Sequence, residues 1–422
     1  MRLICGPAGF DVVGAPDGAM RVTLFGQPGS PGRSSAGEAA AGMFRRQKLQ
    51  PSQRGWDFLA IALSVVAADF NVVRDRSPDG WTREIELDIA VSDPAFWQTQ
   101  APELQRALAF LTSDVWTLRF AAGGFAPAKL PKPFRPANDS VMLLSGGLDS
   151  LIGAIDLKAV GWNPLAVSQT VRGDGAKQRV FASLLGLRHI QVNPNVQIPE
   201  ATEDSQRARS IAFIAFAVAT ATSLAPVQAG GTVPLFVCEN GFIALNAPLT
   251  GIRLGSLSTR TAHPEYLGRL QSVLDAAGLG VKLTNPYVGL TKGEMMLHCR
   301  DQVRLASLAA GSTSCGRFQR FGYRHCGRCV PCQVRRAAFI RWGRQDDTTY
   351  IYDNLAKDDA DHAMFDDVRA VAMALALAKA SGVDTWIGHA LSSPFLDREA
   401  TRGMLERGLS EFRALHGAYG VK

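Results

Sequence analysis

The 422-residue chain offers no stretch that reads as a membrane span and no secretory leader. Its opening, "MRLICGPAGFDVV", breaks at Gly, Pro and Asp before an apolar core can develop. The most apolar segment, "IAFIAFAVATATSLAPV" (211–227), is short for a bilayer and closed off by Pro226, so it reads as a buried helix. Cysteine is scarce: seven residues are too few for a disulfide scaffold, which points to a reducing, cytoplasmic setting. There is no internal repeat and no low-complexity tract. Acidic residues vanish between Asp301 and Asp346, a stretch that holds nine arginines against a whole-chain net charge of +7. Eight aspartates against one lysine, Lys357, follow in 346–367. Two readings stand side by side: a basic surface neutralised by its acidic neighbour, or an anion-binding face for nucleotide phosphates or nucleic acid.

What is present divides the chain in three. Residues 1–135 hold a Gly/Pro/Ser-rich loop, a helical pattern at "WDFLAIALSVVAADF", an alternating strand at "REIELDIAV", a helix through "APELQRALAFL" and a strand at "VWTLRF". That is α+β patterning without a catalytic motif, an accessory domain. The segment "AGGFAPAKLPKPFRPAND" marks a boundary. Over 136–345 strands ("VMLLS", "PLAVSQT", "HIQVN", "PLFVCENG") alternate with helices. This predicts an α/β, Rossmann-like domain with a parallel sheet covered by helices. Residues 346–422 end in two amphipathic patterns, a helical extension.

Two motifs carry chemistry. In "VMLLSGGLDSLIGAIDL" a strand gives way to Ser145, Gly146, Gly147, Leu148, Asp149 and Ser150, then to a helix. Glycines let the backbone approach a phosphate, and the helix start presents unpaired N–H groups to an anion. The pattern is not GxxxxGK[ST], so this is not the loop of kinases and GTPases. Four of the seven cysteines, Cys315, Cys326, Cys329 and Cys332, fall within eighteen positions. Cx2Cx2C with one distant Cys suits tetrahedral Zn²⁺; four thiolates leave no open position, so the metal is structural. The alternative is four free thiols.

SGGxDS after a hydrophobic strand resembles the pyrophosphate-binding loop of the PP-loop ATP pyrophosphatases, which cleave ATP to AMP and pyrophosphate while adenylating an oxygen. Together with C-x(n)-CxxCxxC it resembles the QueC family, the 7-cyano-7-deazaguanine synthases, over about residues 140–340. The resemblance implies ATP and Mg²⁺ beside Zn²⁺, a 7-deazaguanine carboxylic acid as substrate, and residues 145–150 as the nucleotide loop. It also carries over Glu239 after Cys238, Arg209 at the Arg209-Ser210 step that opens a helix, and Lys292 in "NPYVGLTKGEM", facing the nucleotide phosphates. The sequence departs from the family after its second strand, where only Gln178 and Arg179 remain of a Tyr-Gly-Gln-Arg-His-like segment, and at "RTAHPEY". The added terminal regions resemble the enlarged QueC-like components of bacterial anti-phage systems of the Qat type. That likeness implies a partner protein's amine, in place of ammonia, as the acceptor.

Each residue also has a plainer role. Asp149 either helps hold Mg²⁺ or caps its helix; Lys292 either neutralises charge on pyrophosphate or is a solvated lysine; Glu239 is a site carboxylate or a turn residue. His263 is a base or a structural histidine. Arg207 and Arg209 oppose the dipole at a helix start, which suggests a bound anion or two exposed arginines. Cys238 and Cys299 make a poor catalytic pair. A zinc-containing nucleic-acid-binding module and a free-standing nitrile synthase remain the alternatives.

Overall fold

The structure is a computed structural model that describes residues 1–16, 18–27, 34–170, 172–199, 203–204, 206–247, 249, 260–357, 367–388 and 393–421. Part of the Gly/Pro/Ser-rich loop (28–33) and the centre of the acidic run (358–366) lie outside the described residues.

Five strands, β1 (Arg2–Gly6), β2 (Met20–Leu24), β3 (Ser34–Ala36), β4 (Glu84–Val91) and β5 (Val115–Ala122), form a sheet in the order β3-β2-β1-β4-β5. Every pairing in it is parallel, with Leu3 opposite both Met20 and Leu87, and Ile85 opposite Trp116. The α+β expectation for residues 1–135 is therefore corrected to α/β. The strands missed from sequence are short, and β1 is a nearly continuous buried run ("LICG") of the kind a parallel sheet covered on both faces demands.

A second parallel sheet contains β6 (Ser140–Leu143), β7 (Pro164–Gln169), β8 (Arg188–Val192), β9 (Val233–Phe236) and β10 (Val281–Thr284), in the order β10-β9-β6-β7-β8. Counted from its own first strand, each sheet has the doubly wound order 3-2-1-4-5. The chain thus uses one topology twice without a visible sequence repeat.

The chain forms two compact units: Met1–Leu143 with Ile190–Leu235 and Tyr266–Leu283, and Leu144–His189 with Phe236–Glu265 and Thr284–Lys422. In the first, the Gln53–Asn71 helix is almost wholly buried and packs on the Arg209–Ala221 helix, the apolar segment noted above. No helix among the described residues is long and apolar enough to cross a membrane. Beneath these helices lies a buried ionic network. Arg83 reaches Asp69 and Asp114, each at 2.6 Å, and Arg74 pairs with Asp114 at 2.7 Å. Asp69 also accepts the backbone N–H groups of Arg207 and Ala208, both at 2.7 Å. The anion at this helix start is the chain's own Asp69, while the Arg207 guanidinium donates to Thr112 O at 3.1 Å.

In the second unit the Asp367–Ser381 and Arg398–Ala418 helices share one apolar core with Phe242, Leu245, Ala247 and Leu249 and the Val330–Trp342 helix. Val371, Met404, Leu409 and Phe412 are among its buried members. The C-terminal helices are integral to this unit.

Candidate active site and metal centre

The glycine loop lies where β6 ends, beside β9, at the point where the strand order of the second sheet reverses; open α/β sheets place ligands there. Gly146 has φ +89°, a left-handed conformation that favours glycine. Gly147 is the N-cap of the Leu148–Ala159 helix, and no side chain caps it. The N–H groups of the first turn are thus left without a side-chain acceptor, which suits an incoming anion. The loop is braced from within: Ser145 Oγ accepts the Gly147 N–H at 3.2 Å and lies 3.0 Å from Ser150 Oγ. Gln178 Nε2 donates to the carbonyls of Ser145 and Gln169, both at 3.0 Å. The residue retained after the second strand thus holds the loop's backbone.

Asp149 does not cap the helix. Its buried carboxylate accepts from the Asn240 side-chain amide at 2.7 Å and backbone N–H at 3.2 Å, and pairs with Lys292 Nζ at 2.9 Å. Lys292 is only 7% exposed, so it is no solvated surface lysine. β9 ends at Phe236, and Cys238–Asn240 run on beyond its carboxyl end, bringing Glu239 against Asp149. Burial, and then the Asp149 charge, push the Glu239 carboxyl well above the ordinary range. Burial alone would raise Asp149 as well. The Lys292 ammonium and hydrogen bonds from Glu239 and Asn240 outweigh it and hold Asp149 at about 2. Two carboxyl groups, one pushed up and one held down, thus meet beside one buried ammonium. Two adjacent hard oxygen donors fit a magnesium ion, whose charge would favour the ionised form of both.

The close approach has a steric requirement: a Cβ on Gly153 would stand 2.3 Å from Cys238 Sγ. Burial pushes the Cys238 thiol up, and Cys299 up to about 12, so neither is a ready nucleophile.

Cys315, Cys326, Cys329 and Cys332 converge in a buried cluster, their sulfurs all within 4.8 Å of one another. Four thiolates at a Zn–S distance of about 2.3 Å stand about 3.8 Å apart. The Cys315–Cys329 and Cys326–Cys332 sulfurs are 3.8 and 3.9 Å apart. The N–H groups of Cys326 and Arg317 point at Cys315 Sγ, both at 3.4 Å, and that of Cys329 at Cys326 Sγ at 3.3 Å, which stabilises thiolate charge. The donor set and spacing are consistent with structural zinc.

The cluster's flank also touches the loop. The Thr313 N–H bonds to Gly146 O at 3.0 Å, and Thr313 pairs with Gly147 as an isolated bridge. Lys177 Nζ donates to Thr313 Oγ1 at 2.7 Å, and that hydroxyl in turn donates to Asp174 at 2.7 Å. Burial lowers the Lys177 pKa, opposed by Asp174. His325, pushed down to about 3 by burial and the nearby Arg335 and Lys177, accepts the Ser314 N–H at 3.1 Å as a neutral ring. Sequence reasoning missed Asn240, Thr313 and Lys177; only the polar run after β9 and the basic residue beside Gln178 hinted at them.

Arg209 is exposed at the start of its helix. His263 is buried, pushed down to about 4 by burial and Arg260, and its Nδ1 accepts the Glu265 N–H at 3.1 Å, a structural role. The arginine stretch is not one surface. Arg335 is fully buried, donating to Ala309 O at 2.7 Å; Arg328 and Arg336 bond to backbone carbonyls, and Arg317 pairs with Asp367 at 3.3 Å.

No family model matches the chain. It is distantly similar to the 7-cyano-7-deazaguanine synthase of Novosphingobium aromaticivorans, 27% identical over 253 residues, covering 53% of this chain and 98% of the relative. The 7-cyano-7-deazaguanine synthase of Methanocaldococcus jannaschii is 24% identical over 238 residues, covering 50% and 99%. About half of the chain thus carries a distant likeness to the QueC family.

Proposed function

We propose that the protein is an ATP-dependent, AMP- and pyrophosphate-forming enzyme that activates a 7-deazaguanine carboxylic acid and passes the acyl group to an amine, that of a partner protein, in anti-phage defence. The observation that carries the reading is the uncapped helix start behind Ser145–Ser150 with the Asp149–Lys292–Glu239 cluster beside it. A carboxylate oxygen of the acid attacks the α-phosphorus of ATP, and the bond from that phosphorus to the bridging oxygen breaks, releasing pyrophosphate. The amine then adds to the acyl carbon, loses a proton and expels AMP, leaving an amide. The loop amides and the hydroxyls of Ser145 and Ser150 receive the phosphates. Lys292 offsets the charge that grows on the leaving group. Asp149 and Glu239 would hold magnesium, which supplies further charge neutralisation on the phosphate oxygens.

The similarity to two synthases of the 7-deazaguanine nitrile supports the acid. The acceptor rests on the resemblance noted from sequence and on the large part of the chain outside the similarity, room to present a protein amine. Burial of Arg328, Arg335 and Arg336 favours this over a nucleic-acid module. The test supplies ATP, Mg²⁺ and the 7-carboxy acid with either ammonium or the candidate partner, then weighs all products. A mass increase on the partner, with AMP and pyrophosphate, supports the reading. ADP formation refutes the adenylation; free nitrile with no protein adduct refutes the acceptor.

A further inference from the structure

The segment that carries Lys292 is held from outside by the C-terminal helix, Arg398–Ala418. Thr291 caps the short Lys292–His298 helix in a reciprocal capping box with Glu294. Four bonds then come from the C-terminal helix. Arg407 Nε donates to Glu294 at 2.6 Å, and its Nη2 donates to Gly289 O at 2.8 Å. Glu411 accepts from the Thr291 hydroxyl and from the Gly293 N–H. The approach is so close that a Cβ on Gly293 would lie 2.5 Å from Glu411 Oε1 and 2.7 Å from Arg341. On the other flank, Met404 and Gly408 pack on the Asn240-capped turn Gly241–Ala244, which delivers Glu239 and Asn240 to Asp149. One helix therefore backs both segments that meet at Asp149. Glu411 also lines a cavity of about 390 Å³ with Glu294, Ile340, Arg341, Arg407 and Ser410.

We infer that Glu411 and Arg407 are positioning residues: the C-terminal helix sets the place of Thr291 and Glu294, and through them keeps Lys292 Nζ on Asp149. The chemistry this serves rests on the function proposed above; the geometry does not.

The test is competitive acetylation of full-length, zinc-loaded protein with acetic anhydride, read by mass spectrometry at Lys292 against exposed Lys379. Loss of the hydrogen bonds that Glu411 takes from Thr291 and Gly293 in Glu411→Ala raises Lys292 labelling about tenfold or more. Glu411→Gln, whose amide oxygen still accepts from Thr291, stays close to wild type. Equal labelling in wild type and Glu411→Ala, with zinc content and circular dichroism intact, overturns the inference. If Glu411→Ala does not fold, Thr291→Val with Thr291→Ser as its rescue puts the same question: raised labelling restored by serine supports the inference, and unchanged labelling overturns it. In turnover, Glu411→Ala lowers kcat for pyrophosphate release and leaves KM for the acid nearly unchanged, whereas a fall in stability alone with both constants intact counts against positioning. A wild type that forms no pyrophosphate refutes the proposed function, and the labelling still decides the inference.

Discussion

Replacing Lys292 with methionine should expose the electrostatic logic of the site. The substitution keeps an unbranched chain of similar volume and deletes the one ammonium 2.9 Å from Asp149. Breaking a buried ion pair from one side costs roughly 3–5 kcal/mol, because the remaining charge is left without its partner. Asp149 has one escape, which is to bind a proton. At pH 7 that costs about 4 kcal/mol for a carboxyl with an unfolded pKa near 3.9, and at pH 5 about 1.5 kcal/mol. The variant's loss should therefore be about 3–4 kcal/mol at pH 7 and shrink by about 2 kcal/mol at pH 5. The sign follows from the direction of the shift. In the wild type the Asp149 carboxyl is held down at about 2, so its contribution is present at neutral pH and lost only as pH falls through that range. In Lys292→Met the folded carboxyl moves above its unfolded value, and stability is lost as pH rises. Urea denaturation of zinc-loaded protein at the two pH values, with Asp149→Asn added to the lysine variant, measures this. The double variant should recover at least half of the loss, and its remaining difference from the wild type should be nearly the same at both pH values. A pH-independent loss, or a double variant no more stable than Lys292→Met alone, would refute the reasoning.

Cys329→Ser should release the metal and, by loosening Thr313, weaken nucleotide binding at the loop as well; elemental analysis and calorimetry with Mg·ATP check both. The Glu411 carboxyl, raised by burial and Glu294 against Arg341 and Thr291, is pushed up to about 7. Its stabilising contribution is full below its unfolded value and lost as pH rises through about 7, so the wild type should lose about 2 kcal/mol between pH 5 and 8 that Glu411→Gln does not lose. Glu294, pushed up by burial but held low overall by its hydrogen bond from Arg407, stays ionised across that window, and the difference between the two proteins isolates Glu411. Asp69→Asn should cost roughly 3–5 kcal/mol in urea unfolding, since it strips a carboxylate from buried Arg83 and from the start of the Arg209–Ala221 helix.

The sequence made the loop and the cysteines legible because both are local. SGGLDS needs only a strand before it and a helix after it, and Cx2Cx2C closes on itself with one more thiol. The alternating strands and helices after residue 140 were legible for the same reason. Lys292, Asp149 and Asn240 are distant in the chain, and nothing in "GLTKGEM" announces a buried lysine; only folding brings a capped turn against the first helix. The arginine stretch was legible only in part: Arg304, Arg320, Arg324, Arg341 and Arg344 are exposed, as a basic surface requires. Its charge reads as a face, yet Arg328, Arg335 and Arg336 spend their donors on backbone carbonyls and hydroxyls inside the second unit, a use that composition does not distinguish from exposure. The parallel first sheet was hidden because β1 to β3 are five residues or fewer, and no helix separates β1 from β2 among the described residues.

The two sheets put the relation between fold and function to a direct comparison, since both have the same strand order. In the first, the corresponding crevice beside β1 and β4 is filled by the chain itself. A Cβ on Gly6, at the end of β1, would meet the Phe10 ring at 2.4 Å. After β4, the Asp57 carboxylate takes the Ser92 N–H at 2.9 Å, the Ser92 hydroxyl and the Trp97 indole N–H at 3.0 Å. That carboxylate is saturated by neutral donors, and an aromatic ring lies where a ligand would enter. In the second, the helix start is uncapped, the glycines leave its first turn open, and the carboxylates face the Lys292 ammonium. Strand order alone therefore does not decide whether a crevice is left open to a ligand. The difference lies in a few loop residues, so filling the second crevice should silence it without unfolding the sheet. Gly147→Phe tests this. Its ring must compete with the space the phosphates need, and a Cβ there already stands 3.2 Å from Ser145 Oγ and 3.3 Å from Thr313 O. The expected result is loss of Mg·ATP binding by calorimetry with the zinc content and circular dichroism of the wild type; undiminished binding would place the nucleotide elsewhere.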